Sequence, residues 1–214
     1  MNWMKKGLVY WIVTILLYGF LLGLFSDQFL QLSYFYHALI FAFPVVLIVL
    51  KRETFRSVGL VRGDLKTGIE YIALIAVFAA VGVFAKAWIF GKPVYIMSET
   101  SWMFLLIVAV APITEEIFHR GYLQTKFEKS FGRKQGLVIA SVMFSLIHLP
   151  KILFANELVS TSIVPAFLTS PIFALPLFFG LGMLYGYIYQ ETKSINYSIA
   201  THGIANFVLY FLRF

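Results

Sequence analysis

The stretch Ala109-Val-Ala-Pro-Ile-Thr-Glu115-Glu116-Ile-Phe-His119-Arg120-Gly-Tyr-Leu123 places two glutamates and an arginine inside a hydrophobic segment. On insertion scales, each charge at the centre of a lipid-embedded helix costs about 2.5–3.5 kcal/mol. Charges in such helices face other helices or a water-filled cavity, and they mark functional sites. The stretch therefore predicts a bundle of transmembrane helices with a polar site in its interior.

The composition of the whole chain agrees with this prediction. Of its 214 residues, 60% are hydrophobic and 13% are charged, and the mean hydropathy is +0.85. Soluble domains carry about 25% charged residues, so we expect a single domain over residues 1–214 that is embedded in membrane lipid. The chain has no cysteine, which excludes disulfides, thiolate metal sites and a cysteine nucleophile.

Apolar runs near the length of ~20 residues that crosses a bilayer define the predicted spans. They cover residues 7–25, 33–50, 68–90, 101–125, 135–150, 171–190 and 194–212. The stretch 152–170 is ambiguous, because it suits a loop, a re-entrant piece or a further span. The predicted fold class is therefore all-α, a polytopic transmembrane helix bundle of about seven to eight spans.

Basic residues cluster between the apolar runs and predict the orientation of the bundle. Because cytoplasmic loops are rich in lysine and arginine, we expect a multi-pass protein of the cell membrane with a cytoplasmic N-terminus. The net charge of +7 then reflects topology, and we expect no nucleic-acid partner. The residues on the predicted cytoplasmic side are Lys5, Lys6, Lys51, Arg52, Arg56, Arg62, Lys66, Lys126, Lys129, Arg133, Lys134 and Lys193, whereas Lys92, Lys151 and Arg213 fall on the other side.

Polar side chains occur at similar depths in three of the predicted spans. Counted from the nearest basic boundary at ~1.5 Å per residue, Glu115 lies ~16 Å, His148 ~21 Å and His202 ~14 Å into the membrane. These depths fall near the middle of a hydrocarbon core that is ~30 Å thick. We therefore expect the three helices to meet at one buried site.

Helical spacing assigns faces to the polar residues. Glu116 and Arg120 are four residues apart, so they share a face and can form an ion pair. This pair is predicted to be structural support, and Glu115, about 100° round the helix, is the surplus charge. His202 and Asn206 have the same spacing, so one face of the last span presents an imidazole and an amide together.

These groups suit the hydrolysis of an amide bond by an activated water. Glu115 would take a proton from the water as a general base, and His148 would hold or polarise that water. His202 and Asn206 would donate hydrogen bonds to the developing oxyanion, which is typically worth about 3–4 kcal/mol for one donor. The predicted catalytic residues are therefore Glu115, His148, His202 and Asn206.

Other intramembrane hydrolase chemistries lack their residues in this sequence. There is no His-Glu-x-x-His motif for a zinc protease of that type. The two aspartates, Asp27 and Asp64, lie in predicted loops, and no Gly-x-Ser-Gly motif supports a serine nucleophile. Glutamate is the base that remains.

The ordered set Glu115-Glu116-x-x-x-Arg120, Phe144-x-x-x-His148 and His202-x-x-x-Asn206 resembles the CAAX protease and bacteriocin-processing family of membrane proteins. The glycine-bearing segment 178–189 resembles the penultimate helix of that family, and the resemblance covers residues 105–210. It implies a glutamic intramembrane endopeptidase of about eight helices, with the roles given above. We expect no metal or other cofactor. The implied partner is a membrane-tethered peptide or protein substrate.

Alternatives to this hypothesis remain open. A metal-dependent membrane protease is one, because Glu116-x-x-His119 has the carboxylate–histidine spacing of di-metal bundles, although a second such motif is missing and Arg120 would oppose a cation. A non-catalytic membrane interaction or bacteriocin-immunity protein is another. A proton-coupled transporter would be expected to show inverted repeats or paired broken helices, and the sequence shows neither.

Overall fold

Helices form most of the chain in the computed structural model, which describes residues 3–25, 29–50, 52–91, 94–96, 106–154 and 171–213. The elements in chain order are α1 (Trp3–Leu24), α2 (Phe29–Val49), α3 (Leu65–Phe90), β1 (Tyr95–Ile96), π1 (Leu106–Val110), α4 (Ala111–Glu116), π2 (Ile117–Gln124), α5 (Thr125–Phe131), α6 (Arg133–Leu146), α7 (Leu149–Phe154), α8 (Pro171–Thr192), α9 (Ile195–Phe211) and β2 (Leu212–Arg213). The two short strands pair antiparallel. The predicted all-α bundle is confirmed.

Within the described ranges, five helices are long and apolar enough to cross a membrane. They are Met4–Leu24, Gln31–Val49, Leu65–Ile89, Arg133–Phe154 and Ile172–Thr192. Each corresponds to a predicted span, and Arg133–Phe154 extends the short run 135–150 through α7. Residues 155–170, most of the ambiguous stretch, and residues 101–105 lie outside the described chain.

The other two predicted spans are also helical. The run 194–212 forms α9, which has 17 residues. The run 101–125 contributes to π1, α4, π2 and α5, which follow one another without a break over residues 106–131; we call these four segments the composite helix. Every residue of π2 is buried, so the composite helix lies inside the bundle and carries its charges there.

The outward faces of the long helices are apolar. A helix that is hydrophobic all round belongs in a core or in a membrane. Because none of the described segments covers these faces, they fit contact with lipid. The exposed side chains include Ile12, Leu16 and Phe20 on α1 and Val77, Phe78, Val81, Phe84 and Trp88 on α3.

The basic loops meet at one end of the bundle. Lys126 on α5 pairs with Glu53 in the loop between α2 and α3. In the same loop, the backbone N–H of Asp64 donates to the C=O of Thr192 over 3.0 Å. The structure thus brings together loops that the charge pattern assigned to one side, and we call residues 52–64, 125–134 and 191–196 the basic end. The side of the membrane that this end faces stays a prediction.

Candidate active site

Glu116 joins three helices at the centre of the bundle. It is fully buried, and its Oε2 lies 3.2 Å from Arg120 Nε, as the i,i+4 spacing predicts. These atoms attract as charges but are not aligned as a hydrogen bond. The other oxygen, Oε1, accepts a 3.0 Å hydrogen bond from His202 Nδ1 on α9. Arg120 Nη2 donates in turn to the C=O of Gly182 on α8 over 3.0 Å.

Glu115 faces a different neighbour, as its angle around the helix predicts. It is buried, and its Oε1 lies 3.9 Å from Nε2 of His37 on α2. The same ring forms a 2.8 Å hydrogen bond through Nδ1 with Thr114 Oγ1. Sequence analysis did not identify His37. Counted from Lys51 at ~1.5 Å per residue, His37 lies ~21 Å into the membrane. This depth is similar to those of Glu115, His148 and His202, and it would have indicated His37 as a further site residue.

His119 uses both ring nitrogens within the protein. Its Nδ1 lies 2.9 Å from the C=O of Glu115, and Trp11 Nε1 donates to its Nε2 over 3.2 Å. These contacts assign the neutral Nδ1–H form, in which Nε2 is the acceptor. Nε2 is then not available to a metal, so Glu116-x-x-His119 does not form the motif whose spacing it shares. Among the described residues, no three His, Cys, Asp or Glu side chains are arranged to hold a metal ion.

Phe144 is the aromatic centre around which the site is packed. His148 Nδ1 donates to the C=O of Phe144 over 3.0 Å, and the His148 ring stacks on Phe178 with 3.7 Å between centroids. The Phe144 ring lies 4.1 Å below Cζ of Arg120 and 5.9 Å from the His202 ring. The Nδ1–H bond to the backbone leaves Nε2 of His148 as a hydrogen-bond acceptor.

Ionisable groups from several helices share this interior region. Glu115 lies within electrostatic reach of His202 and Lys151, and His148 lies within reach of the same two groups. The three helices predicted to meet do bring their polar residues together. The structure adds His37 from α2 and Lys151 from α7, to which the sequence had assigned no role in the site.

The remaining predicted site residue, Asn206, lies one helical turn after His202 on α9. It is half-buried, whereas His202 is buried and its ring stacks on Tyr185 with 4.6 Å between centroids. Asn206 therefore lies at the edge of the site. Its role at the oxyanion stays a prediction, as do the catalytic roles of Glu115, His148 and His202.

Comparison with known proteins bears on this part of the chain. A family model described as "Type II CAAX prenyl endopeptidase Rce1-like" matches residues 97–208. The match covers just over half of the chain and runs from the composite helix through α6, α7 and α8 to most of α9, so it contains all three motifs. No curated protein and no solved structure matches the chain significantly.

Proposed function

The chain belongs to the Rce1-like family of type II CAAX prenyl endopeptidases, and from this premise we propose that it hydrolyses peptide bonds with a water that Glu115 and His148 activate. It is a multi-pass membrane protein of a protease family. The substrate we propose is a membrane-tethered peptide or protein. The observation that carries the proposal is a buried carboxylate, Glu115, with His37 of α2 3.9 Å away and His202 of α9 within electrostatic reach.

Glu115 suits the role of general base because the neighbouring ion pair uses the other carboxylate. Arg120 lies 3.2 Å from Glu116, so its positive charge is directed there. In the proposed reaction, the water oxygen bonds to the scissile carbonyl carbon while Glu115 accepts a proton from the water. The same proton then passes to the leaving nitrogen as the carbon–nitrogen bond breaks, so Glu115 ends the cycle ionised.

His148 suits the role of a water ligand. Its Nδ1–H is committed to the C=O of Phe144, and its ring is held flat against Phe178. The free Nε2 lone pair accepts an O–H of the water. The hydrogen bond and the stacking together fix the ring. It therefore needs no reorganisation as charge develops in the transition state, which is the basis of electrostatic preorganisation.

His202 suits the role of oxyanion donor, and Glu116 is then more than structural support. The carboxylate of Glu116 accepts from His202 Nδ1 at 3.0 Å. A buried carboxylate in this position holds the ring in one orientation. In the proposed role, Nδ1–H of His202 is directed at Glu116 and Nε2–H is donated to the oxyanion, and Asn206 supplies an amide one turn away.

The test is cleavage by protein purified in detergent. The probes are a farnesylated CAAX peptide and the same peptide without the lipid, compared for the wild type, Glu115→Gln and His148→Ala. We expect the wild type to cleave a peptide and each variant to lose about 10²–10⁴-fold in kcat, the range for a general acid–base group. Glu70→Gln, on an exposed turn of α3, is the matched control and should cleave normally.

Two results would contradict the proposal. One is cleavage at the wild-type rate by both Glu115→Gln and His148→Ala. The other is wild-type protein, folded by circular dichroism, that cleaves neither peptide. Glu115→Gln also distinguishes a protease from a non-catalytic protein. A protein that only binds a partner would keep its cellular function without the Glu115 base.

A further inference from the structure

His37 belongs to the site, although no motif accounts for it. It lies on α2, outside the matched region 97–208, and it is 6% exposed. Within the described chain, it is the histidine whose ring nitrogen comes within 4.0 Å of the Glu115 carboxylate, with 3.9 Å between Nε2 and Oε1. Its ring is also held edge-on by Tyr36, with 5.1 Å between centroids.

The hydrogen bonds of Thr114 determine which nitrogen of His37 carries the proton. Thr114 Oγ1 lies 2.8 Å from the C=O of Val110 and 3.2 Å from that of Ala111, so its one hydrogen is donated to the backbone. Thr114 must then accept from His37 Nδ1–H over 2.8 Å. The lone pair of His37 Nε2 is therefore directed towards Glu115.

Two hydrogen-bond acceptors thus face each other across a gap that is too long for a direct bond. A direct N–H···O bond spans about 2.7–3.2 Å, against the 3.9 Å observed. Water has two O–H groups and can donate one to each acceptor, and polar contacts of this length are commonly bridged by water. The lone pairs of such a water point away from both residues and are free to attack a carbonyl carbon.

We propose that His37 Nε2 and Glu115 Oε1 hold the attacking water between them, so that His37 is a further catalytic residue. The inference rests on the proposed function and deepens it. When the water attacks, its oxygen bonds to the carbonyl carbon and one proton moves to Glu115. Its other O–H is shared between two acceptors, Nε2 of His37 and Nε2 of His148, and neither ring gains a proton. The amide nitrogen leaves with the proton that Glu115 returns.

His37→Asn separates this role from a purely structural one. The asparagine Nδ2–H occupies roughly the place of the imidazole Nδ1–H, so it keeps the bond to Thr114 but removes the acceptor that faces Glu115. We expect kcat to fall by about 10²-fold or more, with KM nearly unchanged because substrate binding is untouched. Ser33→Ala is the matched control, because it removes a buried 3.1 Å hydrogen bond to Tyr18 one turn earlier on α2.

The outcomes are distinct. A His37→Asn variant with wild-type kcat overturns the inference, and so does a Ser33→Ala variant that loses kcat equally, since helix packing would then explain both. Should His37→Asn not fold, ¹⁵N NMR of wild-type His37 decides the matter: a protonated Nδ1 supports the inference and a protonated Nε2 overturns it. Glu115→Gln tests the parent proposal separately, because an active Glu115→Gln protein contradicts the mechanism whatever His37 does.

Discussion

Glu116 has two partners where its sequence context predicts one. The carboxylate lies between Arg120 and His202 and is fully buried. Removing one member of a buried charge pair leaves the other uncompensated, which costs about 3–5 kcal/mol. We expect Glu116→Gln to lower the free energy of unfolding by about that amount, measured by denaturant or thermal unfolding in detergent.

An exposed ion pair of the same chain is the control for this variant. Arg133 Nη2 and Glu191 Oε1 also form a close contact, but their side chains are 53% and 35% exposed. Exposed pairs contribute about 0–1 kcal/mol, so Glu191→Gln should be nearly neutral. Equal stability losses in Glu116→Gln and Glu191→Gln would contradict the interpretation of Glu116.

Trp11 and His119 provide a second test at the residue scale. Trp11 Nε1 donates to His119 Nε2 inside the bundle. Phenylalanine keeps most of the ring but leaves the imidazole acceptor without its donor, a cost of about 1–3 kcal/mol for a buried group. We expect Trp11→Phe to lower the thermal midpoint, whereas Trp88→Phe, at a side chain that is 84% exposed, should not. A Trp11→Phe protein with the wild-type thermal midpoint would show that this hydrogen bond does not contribute to stability.

At the scale of elements, Gly121 of the composite helix lies against the loop 52–64 of the basic end. A Cβ built on Gly121 lies 2.4 Å from the backbone oxygen of Val58, which cannot rotate away. We expect Gly121→Ala to destabilise the protein by about 1–3 kcal/mol, the range for overpacking.

Gly82 on α3 is the matched control for this substitution. A Cβ there has no heavy atom within 4 Å, and alanine is favoured over glycine in a helix interior by about 1 kcal/mol. Gly82→Ala should therefore leave stability unchanged or raise it. Unfolding curves that show both alanine variants at wild-type stability would argue against the close approach of Val58 to the composite helix.

Asp64 makes the start of α3 sensitive to acid. Hydrogen bonds from the hydroxyl and backbone N–H of Thr67 lower the pKa of the Asp64 carboxyl. A lowered pKa in the folded state means that the contribution to stability is complete above the ordinary aspartate pKa of about 3.9 and is lost as the pH falls through the folded value. Asn also caps helices but does not titrate.

The difference in thermal midpoint between the wild type and Asp64→Asn isolates this effect. We expect this difference to be constant near neutral pH. Below about pH 4, the midpoint of the wild type should fall relative to that of Asp64→Asn. A difference that stays constant to the lowest pH at which the protein folds would show that the cap does not depend on the charge of Asp64.

At the scale of the whole molecule, the basic end provides a test of orientation. We predict that it faces the cytoplasm, because basic loops are retained there. The native chain has no cysteine, so a single introduced cysteine is a unique label site. Lys129→Cys, at an exposed position of the basic end, should react with an impermeant maleimide only from the cytoplasmic side. Phe25→Cys, just after α1, should react only from outside, and the reverse pattern would invert the topology.

Local spacing made part of the site predictable from the sequence. Glu116 and Arg120 lie on one helix, so the helical period alone brings them together, and the observed pair has 3.2 Å between its atoms. The depth of each polar group follows from residue count, which is why the convergence of three helices was anticipated.

The sequence did not predict which side chains of different helices contact one another. His202 and Glu116 are 86 residues apart, Trp11 and His119 are 108 residues apart, and His37 and Thr114 are 77 apart. Each depends on how a helix is rotated about its axis and on which helix lies beside it. In a helix that is apolar on every face, the sequence has no amphipathic pattern that would indicate its rotation or its neighbouring helix.

The amino-acid sequence by itself therefore determined the class of the protein and the approximate bounds of its apolar segments, and it predicted a common depth for the polar groups within them. These properties depend on composition and on helix geometry, which are local. The tertiary structure alone decided that Glu116 accepts a hydrogen bond from His202 and that His37 faces Glu115. Only close packing of side chains from separate helices selects one rotation of each helix, and this selection assembles the site.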